Sequence, residues 1–183
     1  MRAWVPLVVA LLAGCAQFGG APESALPRDV HAPPTARELA EHPCRYGDAA
    51  ACVAKCERDP QACNATGIFF EFDGGERSDP GLASGFYRRA CDANYGPGCN
   101  NLAWLYLGGR GVPRDPPHAM TLFMAAFDAA RISCAKGDPS GCLLAGELLY
   151  DGRGVEENES QALAFFRLAC AGGEARACAR GEP

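Results

Sequence analysis

Apolar side chains recur at helical spacing in three aligned segments of the chain. Within each segment, four apolar positions stand at offsets 0, 3, 4 and 7, which places them on one face of an α-helix. The segments are 78–91, 114–127 and 157–170. Their apolar positions are Ala83, Phe86, Tyr87 and Ala90; Ala119, Leu122, Phe123 and Ala126; and Ala162, Phe165, Phe166 and Ala169. The pattern predicts three amphipathic helices, each with an aromatic stripe that faces a core.

A second set of helices is predicted ahead of these. Three further segments align without gaps, and each reads as an apolar helix that ends in a glycine-rich turn; they are 62–76, 98–112 and 141–155. Each segment has a small residue four positions after its cysteine, which would let a neighbouring helix approach closely. These residues are Gly67, Ala103 and Gly146. Two-helix units of this kind cannot bury their apolar faces alone, so they must stack. The sequence therefore predicts an all-α solenoid of about three antiparallel helix pairs.

The second helix of each unit carries a start signal. Asp79, Asp115 and Asn158 stand at predicted N-cap positions, where a side-chain oxygen accepts a hydrogen bond from the first turn. Pro80 and Pro116 follow at the first helical position, where a missing N–H costs nothing. These signals predict where the second helices begin.

The middle unit is longer than its neighbours by the seven residues 128–134. Seven residues add about two turns to a helix and keep nearly the same face towards the core. We therefore expect a longer second helix in this unit, which protrudes or bends the stack.

Composition limits the class of protein. The chain has 183 residues, enough for about one domain, and 48% of them are hydrophobic and 21% charged, which is typical of a folded chain. The formal net charge of −5 argues against a nucleic-acid binder, which needs a basic surface. There are 11 cysteines beside 3 histidines, which disfavours a Cys/His zinc site. Neither a metal nor a cofactor is expected.

The start of the chain is similar to the export signal of a bacterial lipoprotein. Arg2 precedes a ten-residue apolar run, 4–13, which suits a signal peptide and is too short for a permanent membrane span. The run leads into Leu-Ala-Gly-Cys at 12–15, which resembles a lipobox. An ordinary secretory signal with a chance cysteine is the alternative.

The lipobox resemblance implies a signal peptide at 1–14, cleavage before Cys15, and lipid on the thiol of Cys15. The residue after that cysteine is Ala16 rather than the aspartate that signals inner-membrane retention, so the outer membrane is expected. Residues 15–43 are rich in alanine, proline and glycine and are predicted to form a flexible tether.

The ten other cysteines are an even number, which predicts a disulfide framework in an exported protein. Four pairs are 8 residues apart and one pair is 7 apart. Eight residues span about 12 Å along a helix, whereas a disulfide needs Cα atoms within roughly 7 Å. The chain must therefore reverse between the paired cysteines, and glycine or proline in each intervening segment supports this. The predicted disulfides are Cys44–Cys52, Cys56–Cys63, Cys91–Cys99, Cys134–Cys142 and Cys170–Cys178. A metal site around Cys52 and Cys56 is the less favoured alternative.

The repeat resembles the Sel1-like repeat family, and within it the cysteine-rich branch of exported bacterial proteins. Its pattern is Cys-x-x-x-Gly/Ala, then Gly-x-Gly-Val, then Ala-x-x-Phe/Leu-Phe/Tyr-x-x-Ala-Cys. The resemblance covers roughly 44–180, within a predicted solenoid domain at 44–183. It is weakest in the first unit, where Asp73 replaces a turn glycine and Glu76 replaces valine. The resemblance implies a right-handed solenoid similar to tetratricopeptide arrays, with half-unit caps at 44–58 and 174–180.

The same resemblance implies a non-catalytic scaffold for protein–protein interaction in the bacterial envelope. Its expected partners are the membrane, through the lipid, and an unknown protein or envelope component. Candidate contact residues are polar or aromatic side chains that the repeat does not require: Asn100, Asn101, Trp104 and Glu147. The alternatives are that Asn100 is merely solvated and that Trp104 packs against the neighbouring unit. A purely structural envelope protein is a further alternative that the sequence does not separate from a scaffold.

An enzymatic alternative comes from the same branch, some members of which are described as β-lactam-binding or β-lactamase-like. Ser133 and Lys136 fit the Ser-x-x-Lys motif of serine β-lactamases. The companion motifs Ser-Asp-Asn and Lys-Thr-Gly are missing, and Lys136 is also explained as a cation at a helix C-terminus. The three histidines show no partner that would complete a hydrolytic triad; they are His31, His42 and His118. The residues favour binding over catalysis.

Overall fold

A computed structural model describes residues 49–72 and 78–181, and the regular secondary structure in these ranges is entirely α-helical. The helices are α1 (Ala49–Cys56), α2 (Pro60–Phe72), α3 (Pro80–Asp92), α4 (Gly96–Gly108), α5 (Pro116–Ala135), α6 (Pro139–Tyr150), α7 (Glu159–Ala171) and α8 (Ala175–Gly181). Each helix packs against the next one along the chain, and α4 also contacts α2 and α6. The predicted all-α solenoid of stacked helix pairs is confirmed.

The helix pairs define three repeats with a half-unit at each end. We call α2, α4 and α6 the first helices, and α3, α5 and α7 the second helices of the repeats. The helix α1 precedes the first repeat, and α8 packs against α7 as a C-terminal cap. Because α4 touches both other first helices, the first helices form a continuous layer along the stack.

The predicted N-caps of the second helices are confirmed. The side chain of Asp79 accepts a hydrogen bond from the N–H of Leu82 at 2.9 Å. Asp115 and Asn158 accept equivalent bonds from residues three positions further on, both at 3.0 Å. Since each of these bonds satisfies an N–H that the first turn cannot pair internally, each helix begins where the sequence predicts.

Disulfides join every described unit to the next. The bridges are Cys56–Cys63, Cys91–Cys99, Cys134–Cys142 and Cys170–Cys178, with Cα atoms 4.3 to 4.7 Å apart. Each connects the end of one helix to the first turn of the following helix across a chain reversal, as predicted. Disulfides persist in oxidising compartments, so this framework indicates an exported protein. The fifth predicted pair, Cys44–Cys52, lies outside the described side chains.

The core of each repeat is centred on one buried ring of its second helix. Tyr87, Phe123 and Phe166 are fully buried at equivalent positions. A Cβ added at Gly67 would lie 2.5 Å from a ring carbon of Tyr87, and one added at Gly146 would lie 2.6 Å from Phe166. The small residues of the first helices therefore allow the rings to pack directly on the backbone, as the sequence predicts.

The insertion in the middle repeat produces a step in the stack. The helix α5 has 20 residues, whereas α3 and α7 have 13 each. Gly111 of the second repeat packs against the backbone of Pro80 and Gly81, the first residues of α3. The equivalent Gly154 of the third repeat packs against Met124, well inside α5. The third repeat is thus displaced along its neighbour by about two helical turns, roughly 10 Å.

Several sequence predictions fall outside the described residues. They are the signal peptide at 1–14, Cys15, the tether at 15–43, His31, His42, Cys44 and the degenerate turn residues Asp73 and Glu76. Within the described ranges, no helix combines the length and the apolar content that crossing a bilayer requires.

Candidate interaction site

The second repeat, the third repeat and the C-terminal cap each contribute one arginine that reaches back towards a buried ring of the preceding unit. Two of these arginines stand at equivalent positions in the turns that follow α4 and α6, and the third lies in α8. The pairs are Arg110 with Tyr87, Arg153 with Phe123, and Arg180 with Phe166. A first-helix side chain completes each group: Glu71, Trp104 and Glu147, respectively. We name these three groups the first, second and third junction clusters.

The first junction cluster is a short chain of polar contacts. The Tyr87 hydroxyl donates to Oε2 of Glu71 at 2.6 Å, and Nη2 of Arg110 lies 2.6 Å from Oε1 of Glu71. Burial raises the pKa of the Glu71 carboxyl, although Tyr87 and Arg110 both act to lower it. Burial and the adjacent carboxyl raise the pKa of Tyr87 well above its ordinary value. The phenol therefore stays protonated and remains a donor to Glu71.

The second junction cluster is aromatic and lies where the second and third repeats meet. The rings of Trp104 and Phe123 pack edge to face, with centroids 5.4 Å apart. The guanidinium of Arg153 lies 5.4 Å from the centre of the Trp104 ring and is paired with Asp151. Because Arg153 belongs to the third repeat, Trp104 does pack against the neighbouring unit. A cation held over aromatic faces adds about 0.5–2 kcal/mol of attraction.

The third junction cluster contains a buried carboxyl group. Glu147 is 3% exposed, and its Oε1 lies 3.8 Å from Nη1 of Arg180. Its other oxygen, Oε2, has no hydrogen-bond partner. Burial raises the pKa of Glu147 to about 7, although Arg176, Arg180 and Arg153 act to lower it; Asp151 raises it further. This cluster holds its carboxyl less closely than the first cluster holds Glu71.

The four predicted contact residues do not form one exposed patch. Asn100 is 3% exposed, and its Oδ1 has no hydrogen-bond partner, so the alternative of a merely solvated Asn100 is wrong. Glu147 is equally buried, whereas Asn101 and Trp104 are only partly buried. The amide of Asn101 donates to Oδ1 of Asn64 at 2.9 Å and so links α4 to α2. The helices α4 and α6 each pack against the second helices on either side of them, and α4 also contacts α2 and α6. Polar side chains on these first helices therefore become buried.

The residues of the enzymatic alternative each make contacts that support the local structure. The Ser133 hydroxyl donates to Oδ2 of Asp138 at 2.6 Å. The exposed Lys136 follows the last residue of α5 and caps that helix through its backbone N–H. The ring of His118 packs edge to face on Tyr106, with centroids 4.5 Å apart. Within the described ranges, no group of three or more His, Cys, Asp or Glu side chains is placed to hold a metal ion.

Sequence reasoning missed the arginines and Glu71. Arg110 and Arg153 stand between glycines, in turns that the repeat pattern assigns only to chain reversal. The recurrence of arginine at the same position of two turns was the available signal. No such signal indicated that Arg110 pairs with Glu71, because the equivalent positions of the other first helices carry Leu107 and Tyr150.

The repeat unit identifies the family. The Sel1 repeat matches this chain at residues 60–95, 96–129 and 139–174, which begin at the first residues of α2, α4 and α6. These matches cover more than half of the chain, so the protein belongs to the Sel1 repeat family. Helical repeats of this kind generally mediate protein–protein interaction through the extended surface of the stack.

Individual relatives are similar over part of their length. Cytochrome c oxidase assembly factor 7A of Xenopus laevis is 33% identical over 88 residues, 48% of this chain. Cytochrome c oxidase assembly factor 7 of Xenopus tropicalis is 31% identical over 88 residues. The chain spans 35% of the length of each of these relatives.

Solved structures with similar helices include two bacterial proteins. Cysteine rich protein B of Helicobacter pylori is 28% identical, with a TM-score of 0.46, over 72% of this chain and 93% of that chain. A Sel1 repeat protein from Oxalobacter formigenes is 23% identical, with a TM-score of 0.47, over 67% of this chain and 46% of that chain.

Proposed function

We propose that this protein is a non-catalytic scaffold for protein–protein interaction, held in the bacterial envelope by lipid on Cys15. The observation that carries the proposal is the stack of three Sel1 repeats, in which every described unit is joined to the next by a disulfide. A repeat stack presents one extended surface whose shape depends on the angles between its units. Bracing the junctions pre-organises that surface and lowers the entropic cost of binding.

Two features support the envelope location. The disulfides need an oxidising compartment, and the sequence at 12–15 resembles a lipobox. One acyl chain binds a membrane only marginally, whereas several chains on one cysteine anchor a protein stably. A tether over 15–43 would let the solenoid reach up to about 90 Å from the anchor if fully extended. Ala16 favours the outer membrane as the site of attachment.

We assign the partner contact to the second junction cluster. Tryptophan and arginine are the residue types that most often dominate binding energy at protein interfaces. Trp104 is partly buried, and the side chain of Arg153 is 14% exposed, so both are already held in one orientation and lose little freedom on binding. The cluster also lies at the middle of the stack, where a partner touches two repeats at once.

A cross-linking pull-down from the organism's own membranes tests this proposal. It compares the wild-type lipoprotein with Trp104→Ala and with Leu168→Ala, a control change of an exposed side chain on α7. Circular dichroism establishes that all three proteins are equally folded. We expect a specific partner with the wild type and with Leu168→Ala, and its loss with Trp104→Ala.

The other outcomes separate the parts of the proposal. A partner that Trp104→Ala retains would place the contact elsewhere on the solenoid. A complete absence of enrichment from intact membranes would refute the scaffold and favour a purely structural role. Loss of the protein from the membrane fraction after Cys15→Ala tests the anchor separately.

A further inference from the structure

The two buried glutamates of the junction clusters differ in how their charge is satisfied. Oε2 of Glu71 accepts a hydrogen bond from Tyr87 at 2.6 Å, and Oε1 of Glu71 makes no hydrogen bond but lies in an ion pair 2.6 Å from Arg110. Glu147 pairs with Arg180 at 3.8 Å, and its Oε2 is buried without a hydrogen-bond partner. A separation of 3.8 Å is too long for a hydrogen bond. An ionised Glu147 is therefore a buried charge that its neighbours satisfy poorly.

Charged groups reach Glu147 from two elements. The helix α8 contributes Arg176 and Arg180, and the turn after α6 contributes Arg153 and Asp151. Two of these cations have other partners as well, since Arg153 pairs with Asp151 and Arg176 lies 3.3 Å from Glu174. In the described part of the chain, the other helices packed against α6 supply no charged group that acts on this carboxyl.

The cap α8 carries Arg180, the cation that pairs with Glu147. It has 7 residues and is tied to α7 by the disulfide Cys170–Cys178. Nε of Arg167 donates to the carbonyl of Gly181 at 3.3 Å. A terminal helix has a neighbour on one side only, so it opens at a lower free-energy cost than the central helices of a repeat stack. Opening would carry Arg180 away and admit water to the carboxyl.

We propose that Glu147 makes the closure of α8 over the third repeat depend on pH, with α8 closed most tightly when this carboxyl carries a proton. This inference goes beyond the scaffold function and does not require it. It concerns the shape of one end of the solenoid, because an open α8 uncovers the ring of Phe166 that Arg180 covers at 5.7 Å.

The direction of the effect follows from proton linkage. Burial raises the pKa of Glu147 to about 7 when α8 is closed, whereas the ordinary value for this carboxyl is 4.5. A carboxyl that opening exposes to water returns towards that ordinary value. The closed state thus binds the proton more tightly than the open state, so closure is strongest at low pH and weakens as the pH rises towards and through 7.

Hydrogen exchange measured by mass spectrometry on the whole mature protein tests the proposal. Protection factors for peptides from α8 and from α3 are compared at pH 5.5 and 7.5, after correction for the intrinsic pH dependence of amide exchange. We expect the protection of α8 to fall on the order of tenfold, while α3 stays unchanged. Protection of α8 that is constant or rises with pH would overturn the proposal, because attraction to Arg176 and Arg180 would then outweigh burial.

Variants assign the effect to the carboxyl. Glu147→Gln removes the titrating group and should abolish the pH dependence of α8, whereas the matched change Glu71→Gln should leave it intact. An undiminished pH dependence in Glu147→Gln contradicts the proposal. If Glu147→Gln does not fold, Arg180→Gln tests the role of Glu147 instead. Removing this cation should move the pH midpoint of α8 opening upwards, and an unmoved midpoint refutes a role for Glu147.

Discussion

Alanine substitutions at three glycines test how closely the turns of the solenoid pack on the neighbouring repeat. Gly85 is exposed within α3, and a Cβ there would meet nothing within 4 Å. Alanine is favoured over glycine in a helix by about 1 kcal/mol. We therefore expect Gly85→Ala to stabilise the protein by about 0.5–1 kcal/mol.

The other two glycines separate backbone strain from steric overlap. Gly137 has a φ of +89° with nothing near its Cβ position, so Gly137→Ala should cost only the left-handed strain, about 1–2 kcal/mol. Gly154 has a φ of +72°, and its Cβ would lie 2.3 Å from the backbone nitrogen of Met124. Overlap with backbone adds about 1–3 kcal/mol, so we expect Gly154→Ala to cost about 2–5 kcal/mol in total.

Urea unfolding followed by circular dichroism, without reductant, gives the three free energies of unfolding on one scale. The expected order of stability is Gly85→Ala, wild type, Gly137→Ala, Gly154→Ala. If Gly154→Ala were no less stable than Gly137→Ala, the turn of the third repeat would not pack on α5 as described. Destabilisation by Gly85→Ala would mean that this face of α3 is covered.

Further substitutions test the disulfides, the caps, the first junction cluster and the anchor. Cys91→Ser with Cys99→Ser should lower the free energy of urea unfolding by about 2–3 kcal/mol, since the bridge closes a short loop; an unchanged value contradicts this. Asp115→Ala should cost about 1 kcal/mol through the lost N-cap bond, whereas Thr121→Ala on the exposed side of α5 should change little. Tyr87→Phe should cost about 1–3 kcal/mol by removing a donor from buried Glu71, and because Tyr87 lowers the pKa of Glu71, infrared titration should show that pKa moving up. Cys15→Ala should release the protein from membranes and leave its mature mass without lipid; a lipidated mass would exclude Cys15 as the anchor.

The repeat architecture was predictable because its determinants are local. Helix periodicity, N-caps and the small residues opposite the rings depend on positions only a few residues apart, and each recurs in several copies. The four described disulfides follow from the same logic, since chain reversal is encoded between each pair of cysteines. The length of α5 was predictable too, because an insertion of seven residues keeps the helix in register.

The site was less predictable because it depends on contacts between repeats. Asn100 and Glu147 are polar side chains on first helices, and their burial is set by the neighbouring helices rather than by their own segment. The step at α5 likewise depends on a contact between repeats, that of Gly154 with the backbone of α5. Arg153 meets Trp104 only after the turn has folded back onto the second repeat. The recurrence of arginine in two turns marks the position but not its partner, because that partner lies tens of residues away in the sequence.

Each described disulfide closes between cysteines only 7 or 8 residues apart. A bridge of this kind needs one helix end, one turn and the beginning of the next helix, so it can form before any later repeat has emerged. In a chain that emerges from its N-terminus, the second cysteine of each described bridge follows its native partner with no other cysteine between them. Eight cysteines admit on the order of a hundred pairings, but this order of emergence favours a single one. The short spacing therefore favours the native pairing of these cysteines whenever the chain emerges from its N-terminus.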